Sequence, residues 1–201
     1  YYSLSANQNN SDAQFELGKV YYEEKYINQN INKSIYYYSL AAEQNDVYAQ
    51  YILGTIYLLN KHAPIDIEKA IHYHELAANQ NCIESQFALG IIYSSNEYVQ
   101  RDISKAIHYY TLAADQNHSI AQLNLGVIYY QGIYVTQDTE KAIHYLTLAA
   151  NQNDSFAQFF LGNTYLEGKE VSQNINKAIY YFTLSSNLNF PDSQYMLGVI
   201  Y

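Results

Sequence analysis

Six histidines and one cysteine are the side chains of this 201-residue chain best suited to metal binding, acid–base work or nucleophilic attack. His72, His108 and His144 stand 36 residues apart at one matched position. If each lies on an equivalent helix, neighbours are separated by a helix-pair width, on the order of 10 Å or more. A shared ion needs each nitrogen at about 2.1 Å, so the three predict a solvated stripe and not a metal centre. His72 and His74 are two apart, which points them to different sides of a helix. Cys82 stands alone, so an intrachain disulfide is impossible. No Gly-rich phosphate loop, nucleophile elbow, paired-Cys motif or His-Glu helix motif occurs. The expectation is no catalytic residue, no cofactor, no metal and no small-molecule substrate.

What must position any remaining function is a repeat. A Leu-Gly pair falls at Leu17-Gly18, Leu53-Gly54, Leu89-Gly90, Leu125-Gly126, Leu161-Gly162 and Leu197-Gly198, a period of 36 without insertion or deletion. Fifteen residues after the first five glycines stand Lys33, Lys69, Lys105, Lys141 and Lys177. A period of about 20–50 residues marks a solenoid, in which each unit buries its apolar face only by stacking on its neighbours. Helical spacing recurs twice per unit, as in Leu125 and Tyr129, then Ala142, Tyr145, Leu148 and Ala149. The chain therefore reads as all-α, a superhelical solenoid of 36-residue helix-turn-helix repeats. It forms one continuous array over 1–201, about five and a half repeats.

Punctuation repeats with it. Asn30, Asp66, Asp102, Asp138 and Asn174, three residues before each Lys, suit N-caps. Asn9, Asn45, Asn81, Asn117, Asn153 and Asn189 suit the left-handed position that closes a helix. A glycine inside a helix costs about 1 kcal/mol against alanine. The recurring Gly thus predicts close approach to another helix, with the small Ala77-Ala78 type positions as the expected neighbours. The matched tyrosines Tyr21, Tyr57, Tyr93, Tyr129 and Tyr165, with Tyr37, Tyr73, Tyr109, Tyr145 and Tyr181, read as packing and not as ligand contacts.

These residues resemble the SEL-like repeat family, a relative of the tetratricopeptide repeat. The fourth unit carries the motif as Leu125-Gly126, Tyr129, Gly132, Val135, Asp138, Lys141-Ala142 and Ala149-Ala150. The loop glycine becomes Glu24, Asn60 and Asn96 elsewhere, and the second loop glycine becomes Tyr26, His62, Tyr98, Tyr134 and Glu170. An ordinary tetratricopeptide unit spaces its Gly and the next helix's Ala more closely than Gly54 and Ala70, which are sixteen apart. The RNA-binding pentatricopeptide class is disfavoured by charge: 10 basic residues against 19 acidic, net −9, supply no phosphate-tracking groove. No nucleic-acid partner is expected.

The resemblance implies a right-handed superhelix whose first helices line a concave wall that holds a peptide or protein. Counting two and five residues back from each Leu-Gly pair gives Phe15, Tyr51, Phe87, Leu123 and Phe159, then Asp12, Tyr48, Glu84, Ile120 and Phe156. The residue after each Gly adds Lys19, Thr55, Ile91, Val127 and Asn163. From these the expected groove is Tyr48, Tyr51, Phe87, Ile91, Leu123, Val127, Phe156, Phe159 and Asn163. Such a wall is aromatic and aliphatic with acidic points. It suits a basic or aromatic-bearing segment, and it lacks the Lys/Arg set that clamps a C-terminal carboxylate. The implied role is an interaction scaffold or adaptor. Two alternatives are the regulatory or substrate-recruiting repeats of a larger enzyme such as a protein kinase, and an adaptor of a membrane-associated degradation complex.

No run of 18 apolar residues is present, so no membrane contact is expected of this segment. No leader pattern is visible, and one cysteine favours a reducing, cytoplasmic setting over that of the cysteine-stapled secreted members. Asn-x-Ser sequons at Asn9, Asn32, Asn117 and Asn153 matter only in a secretory lumen. Tyr1 aligns with Tyr37 and Tyr201 with Tyr21, both mid-repeat, so the chain is expected to be a segment of a longer protein.

Overall fold

The computed structural model describes residues 2–23, 30–59, 65–168 and 171–201. Tyr1 and the loop positions Glu24, Tyr26, Asn60, His62 and Glu170 lie outside the described residues. The described residues form twelve α-helices and no strand, in two compact units. The unit Tyr1–Arg101 holds α1 (Tyr2–Ala6), α2 (Ser11–Tyr22), α3 (Ile31–Glu43), α4 (Val47–Leu59), α5 (Ile67–Asn79) and α6 (Ile83–Ser94). The unit Asp102–Tyr201 holds α7 (Ile103–Asp115), α8 (Ser119–Gln131), α9 (Thr139–Asn151), α10 (Ser155–Glu167), α11 (Ile175–Asn187) and α12 (Pro191–Ile200). Even-numbered helices are the first helices of repeats, and odd-numbered ones the second.

The second helices α3, α5, α7, α9 and α11 start and stop by the predicted chemistry. The side chains of Asn30, Asp66, Asp102, Asp138 and Asn174 accept from the backbone N–H three residues on. Four of the cap residues also donate their own N–H to a first-helix tyrosine carbonyl, as Asp66 does to Tyr57 at 2.9 Å. The loop is thereby tied back onto the preceding helix. At the other end, Asn9, Asn45, Asn81, Asn117, Asn153 and Asn189 all take φ of 61–66°. The Asn45 N–H reaches Ala42 O and the Asp46 N–H reaches Ala41 O, the paired bonds of a Schellman closure, and each of the six junctions repeats them. Gly132 and Gly168 close first helices at φ +62°. Asn96 serves its loop differently, its side chain accepting from the Arg101 N–H.

Inside each unit the helical glycine does produce close approach, but its neighbour is not the Ala-Ala pair. A Cβ at Gly18 would lie 2.6 Å from the Tyr38 ring. At Gly54, Gly126 and Gly162 it would meet His74, Leu146 and Phe182 at 2.8, 2.6 and 2.5 Å. The partner is thus a large side chain twenty residues on, from the middle of the second helix, and the glycine is the notch that receives it. The small alanines serve elsewhere: Ala41, Ala77, Ala113 and Ala149 are fully buried where second helices meet the next first helix.

Matched tyrosines pack as predicted. Tyr21 on Tyr37, Tyr57 on Tyr73, Tyr129 on Tyr145 and Tyr165 on Tyr181 stack with planes within 9° and centroids 5.6–6.2 Å apart. Lys33, Lys69, Lys141 and Lys177 each place the ammonium 4.6–5.1 Å from the first-helix ring. A cation over an exposed ring contributes about 0.5–1 kcal/mol, and the sandwich recurs repeat by repeat. Lys69 and Lys141 also pair with the capping Asp66 and Asp138 at 3.1 Å.

A second polar device links three consecutive helices. Gln14, Gln50, Gln122 and Gln158 are buried, and each donates to the carbonyl of the alanine eight residues back, Ala6, Ala42, Ala114 or Ala150. Gln14, Gln50 and Gln122 also accept, at 2.6–2.9 Å, from Gln44, Gln80 and Gln152 at the end of the following second helix. Leu188 stands at that position in the last full repeat, and Gln158 Oε1 is buried without a partner.

Three substitutions test these notches and links. Gly126→Ala puts a methyl against both Leu146 Cγ and its backbone nitrogen, the latter at 3.1 Å. Overpacking costs about 1–3 kcal/mol and outweighs the gain in helix propensity of about 1 kcal/mol. A net loss of up to about 2 kcal/mol is expected in chemical denaturation. Gly198→Ala, with nothing within 4 Å of the added atom, should be neutral or stabilising. Leu188→Gln should give Gln158 its missing donor and raise stability by about 1 kcal/mol by the same assay.

Candidate functional site

The predicted groove residues divide by how far each points from the core. In the first unit Phe15 packs on Tyr38 with centroids 5.4 Å apart, and Tyr51 packs on His74 at 6.1 Å. In the second unit Phe159 packs on Phe182 at 5.9 Å. These residues, two before each Leu-Gly pair, cover the side chain that fills the glycine notch and are half-buried, as are Phe87 and Leu123. Val127 and Asn163 are half-buried too, whereas Ile91 is 39% exposed.

The residues five before each Leu-Gly pair all face solvent. Tyr48, Ile120 and Phe156 are 69%, 49% and 53% exposed, and Asp12, Glu84 and Asp192 are exposed at the same address. Their position in the first turn of the helix, next to the preceding helix's closure, holds them outward. Phe156 lies on Phe190 with centroids 4.7 Å apart. In the first unit a cleft of about 400 Å³ opens at the corresponding place, lined by Val47, Tyr48, Gln80, Asn81, Cys82, Ile83 and Glu84. The structure therefore brings Tyr48 and Glu84 to one cleft, and Phe156 and Phe159 onto one ring, Phe190.

The chemistry-bearing side chains are placed otherwise. His72, His108 and His144 are exposed, each edge-on to the tyrosine that follows it, in accord with a surface stripe. Among the described residues no cluster of three His, Cys, Asp or Glu is arranged to hold a metal. His118 is an N-cap, its Nδ1 accepting from the Ala121 N–H at 3.1 Å. Cys82 is buried, and burial pushes its thiol above the ordinary value, away from thiolate reactivity. His74 is the residue that sequence reasoning missed. It is 1% exposed in the Gly54 notch, Nδ1 lies 3.2 Å from Ser85 Oγ, and Nε2 has no partner. Burial pushes its pKa down to about 4. The signal was available in register: His74 aligns with Tyr38, Leu146 and Phe182, a position the core demands.

The Sel1 repeat pattern matches residues 11–46, 47–82, 83–118, 119–154, 155–190 and 191–201. This chain belongs to the Sel1 repeat family. Among solved structures it is similar to c5321, described as a protective antigen of uropathogenic Escherichia coli with an SLR fold. That match has 27% identity and a TM-score of 0.90, and covers 100% of this chain and 43% of that one. A Sel1 repeat protein from Oxalobacter formigenes matches at 29% identity and TM-score 0.87, over 98% of this chain and 57% of that one. The chain thus spans about half the length of these two relatives. Helicobacter pylori cysteine rich protein B matches at 27% identity and TM-score 0.51, over 66% of this chain and 95% of that one. No curated protein matches the sequence.

Sel1 repeat proteins generally act as protein–protein interaction scaffolds without catalysis, and the fold is the SLR solenoid expected from the repeat. Among the described residues no helix is long and apolar enough to cross a membrane. The Sel1 helix pair α4–α5 carries a buried histidine where its counterparts carry Tyr, Leu or Phe, and this has a pH consequence. A histidine whose folded pKa is depressed from 6.5 to about 4 binds its proton more readily when unfolded. Its share of stability is complete above pH 6.5 and is lost progressively as pH falls towards 4, on the order of 3 kcal/mol in all. His74→Leu should abolish that slope, measured as the difference between the two proteins' denaturation midpoints across pH 4–7.

Proposed function

We propose that this Sel1 chain is an adaptor that binds an extended, basic or aromatic-bearing protein segment along the exposed faces of its first helices. One observation carries the reading. At the addresses that build the fold, residue type repeats: Gly in the notch, Tyr in the stack, Lys above it, Gln in the link, Asn at the closure. At the address five before each Leu-Gly pair it does not, running Asp12, Tyr48, Glu84, Ile120, Phe156 and Asp192, and every one of them is exposed. A solvent-facing position that no repeated contact constrains, different in each repeat, is where a scaffold distinguishes one partner from another. The net charge of −9 and the acidic members of the series favour a basic segment, and the exposed rings supply anchors. Ile91 extends this face in the first unit, and Phe159 and Asn163 flank it in the second. A lone, buried cysteine supports a reducing, cytoplasmic setting.

Selection from a random peptide display library tests the reading. Enriched peptides should be rich in Lys, Arg and aromatic residues. A Tyr48→Ser/Ile120→Ser/Phe156→Ser variant of unchanged helicity should bind them about ten-fold more weakly or worse, about 1.4 kcal/mol. No enrichment, or full retention by the triple variant, would overturn it.

A further inference from the structure

The two units contain the same junction in two states. In the second, Phe190 stands at the N-cap of α12 and packs edge-on against Phe156 at 4.7 Å. In the first, the N-cap of α6 is Cys82, three repeats earlier in register, and Tyr48 stands where Phe156 does. The small thiol does not fill the space that the phenyl ring fills, and the cleft of about 400 Å³ lies there, walled by Tyr48 and Glu84. Phe190 against Phe156 shows that a planar group can sit beside the ring at this address, seated edge-on by the chain itself in the second unit, where the first unit has only the Cys82 thiol.

Charge decides which flat group. Glu84 is exposed, and its Oε2 takes only a 3.4 Å contact from Cys82 Sγ. Asp46, beside Val47 in the chain, caps α4 through the Ala49 N–H, so Glu84 is the carboxylate that lines the cleft. Among the described residues no Lys, Arg or His lines the cleft. The C-terminal end of α5 and the N-terminal end of α6 meet at its floor, so their opposite helix-end charges offset one another. Arginine is the side chain that is flat, cationic and able to bond a carboxylate in parallel while stacking on an aromatic face.

We infer that the cleft between Tyr48 and Glu84 is an arginine-binding subsite, the guanidinium stacking on the Tyr48 ring and bonding the Glu84 carboxylate. This rests on the scaffold reading above and names the partner's chemistry at one repeat. Neighbouring main chain of the ligand then runs past Val47 and Ile83, the apolar walls of the cleft.

The probe is acetyl-Gly-Arg-Gly-amide, titrated into the full chain and followed by backbone amide shifts. Saturable shifts are expected at Tyr48, Ile83 and Glu84. The neutral isostere, with citrulline in place of arginine, should bind at least about five-fold more weakly, and Glu84→Gln and Tyr48→Ser should each cost a similar factor. Cys82→Phe, which copies the filled junction, should abolish the response, and if that variant fails to fold, Glu84→Gln and citrulline decide. Equal binding of the citrulline peptide, shifts confined to other residues, or no saturable response would each overturn the subsite. Display-selected peptides that still depend on Ile120 and Phe156 in that event would leave the scaffold reading standing.

Discussion

The distance between the two helices of a repeat is set by a missing atom. Where Gly18, Gly54, Gly126 and Gly162 lack a Cβ, a side chain from the middle of the second helix enters, and a methyl there would lie 2.5–2.8 Å from it. The other contacts inherit this spacing. It is the close approach that lets Tyr21 lie flat on Tyr37 and Tyr165 on Tyr181, and it places Lys33 and Lys177 over those rings. Helix propensity is sacrificed at one residue, and in return a packed interface of constant depth recurs in each pair. The side chain in the notch is free to vary, from Leu146 to Phe182, provided it is large.

Within a pair, apolar fit decides; between pairs, polar links fix the register. Alanines such as Ala41 and Ala49 allow neighbouring repeats to approach, yet small apolar surfaces tolerate sliding. A buried glutamine does not. Gln50 must find Ala42 O on one side and Gln80 on the other, and a shift of one residue would strand a buried amide at a cost of about 1–3 kcal/mol. The left-handed asparagine at each junction adds a rigid turn to the same end. Stacking of Sel1 repeats in this chain is therefore specified by hydrogen bonds at the turn and by shape within the pair.

How much of this was legible in the sequence depends on the range of the interaction. Caps and closures act over three to five residues, so Asp66 and Asn81 could be read from spacing alone, and their geometry follows the reading. The Tyr stacks are sixteen residues apart but repeat identically, and the period exposed them. The notch was half legible. The glycine's need for close approach is a local fact, but which residue twenty positions away enters it depends on how two helices cross, and the alanines were an attractive wrong answer. His74 was overlooked because spacing set it on another side of the helix from His72 without showing what that side meets, although its register belongs to Tyr38. The cleft beside Tyr48 was invisible, since it exists through the smallness of Cys82 at an address that Phe190 fills elsewhere.

This division of labour has a consequence for how such a chain acquires specificity. A substitution in the notch, stack or link changes stability and spacing in its own repeat and is felt by the neighbours. A substitution at Ile120 meets solvent on one side and the first helical turn on the other and costs the fold little, whereas Tyr48 and Phe156 also carry ring contacts, to Phe15 and Phe190. Surface substitutions away from structural contacts fall within about ±0.5 kcal/mol. The exposed address can therefore drift in each repeat independently while the frame that carries it is held constant. The series from Asp12 to Asp192 is what that asymmetry leaves behind: one exposed address per repeat, each with its own chemistry.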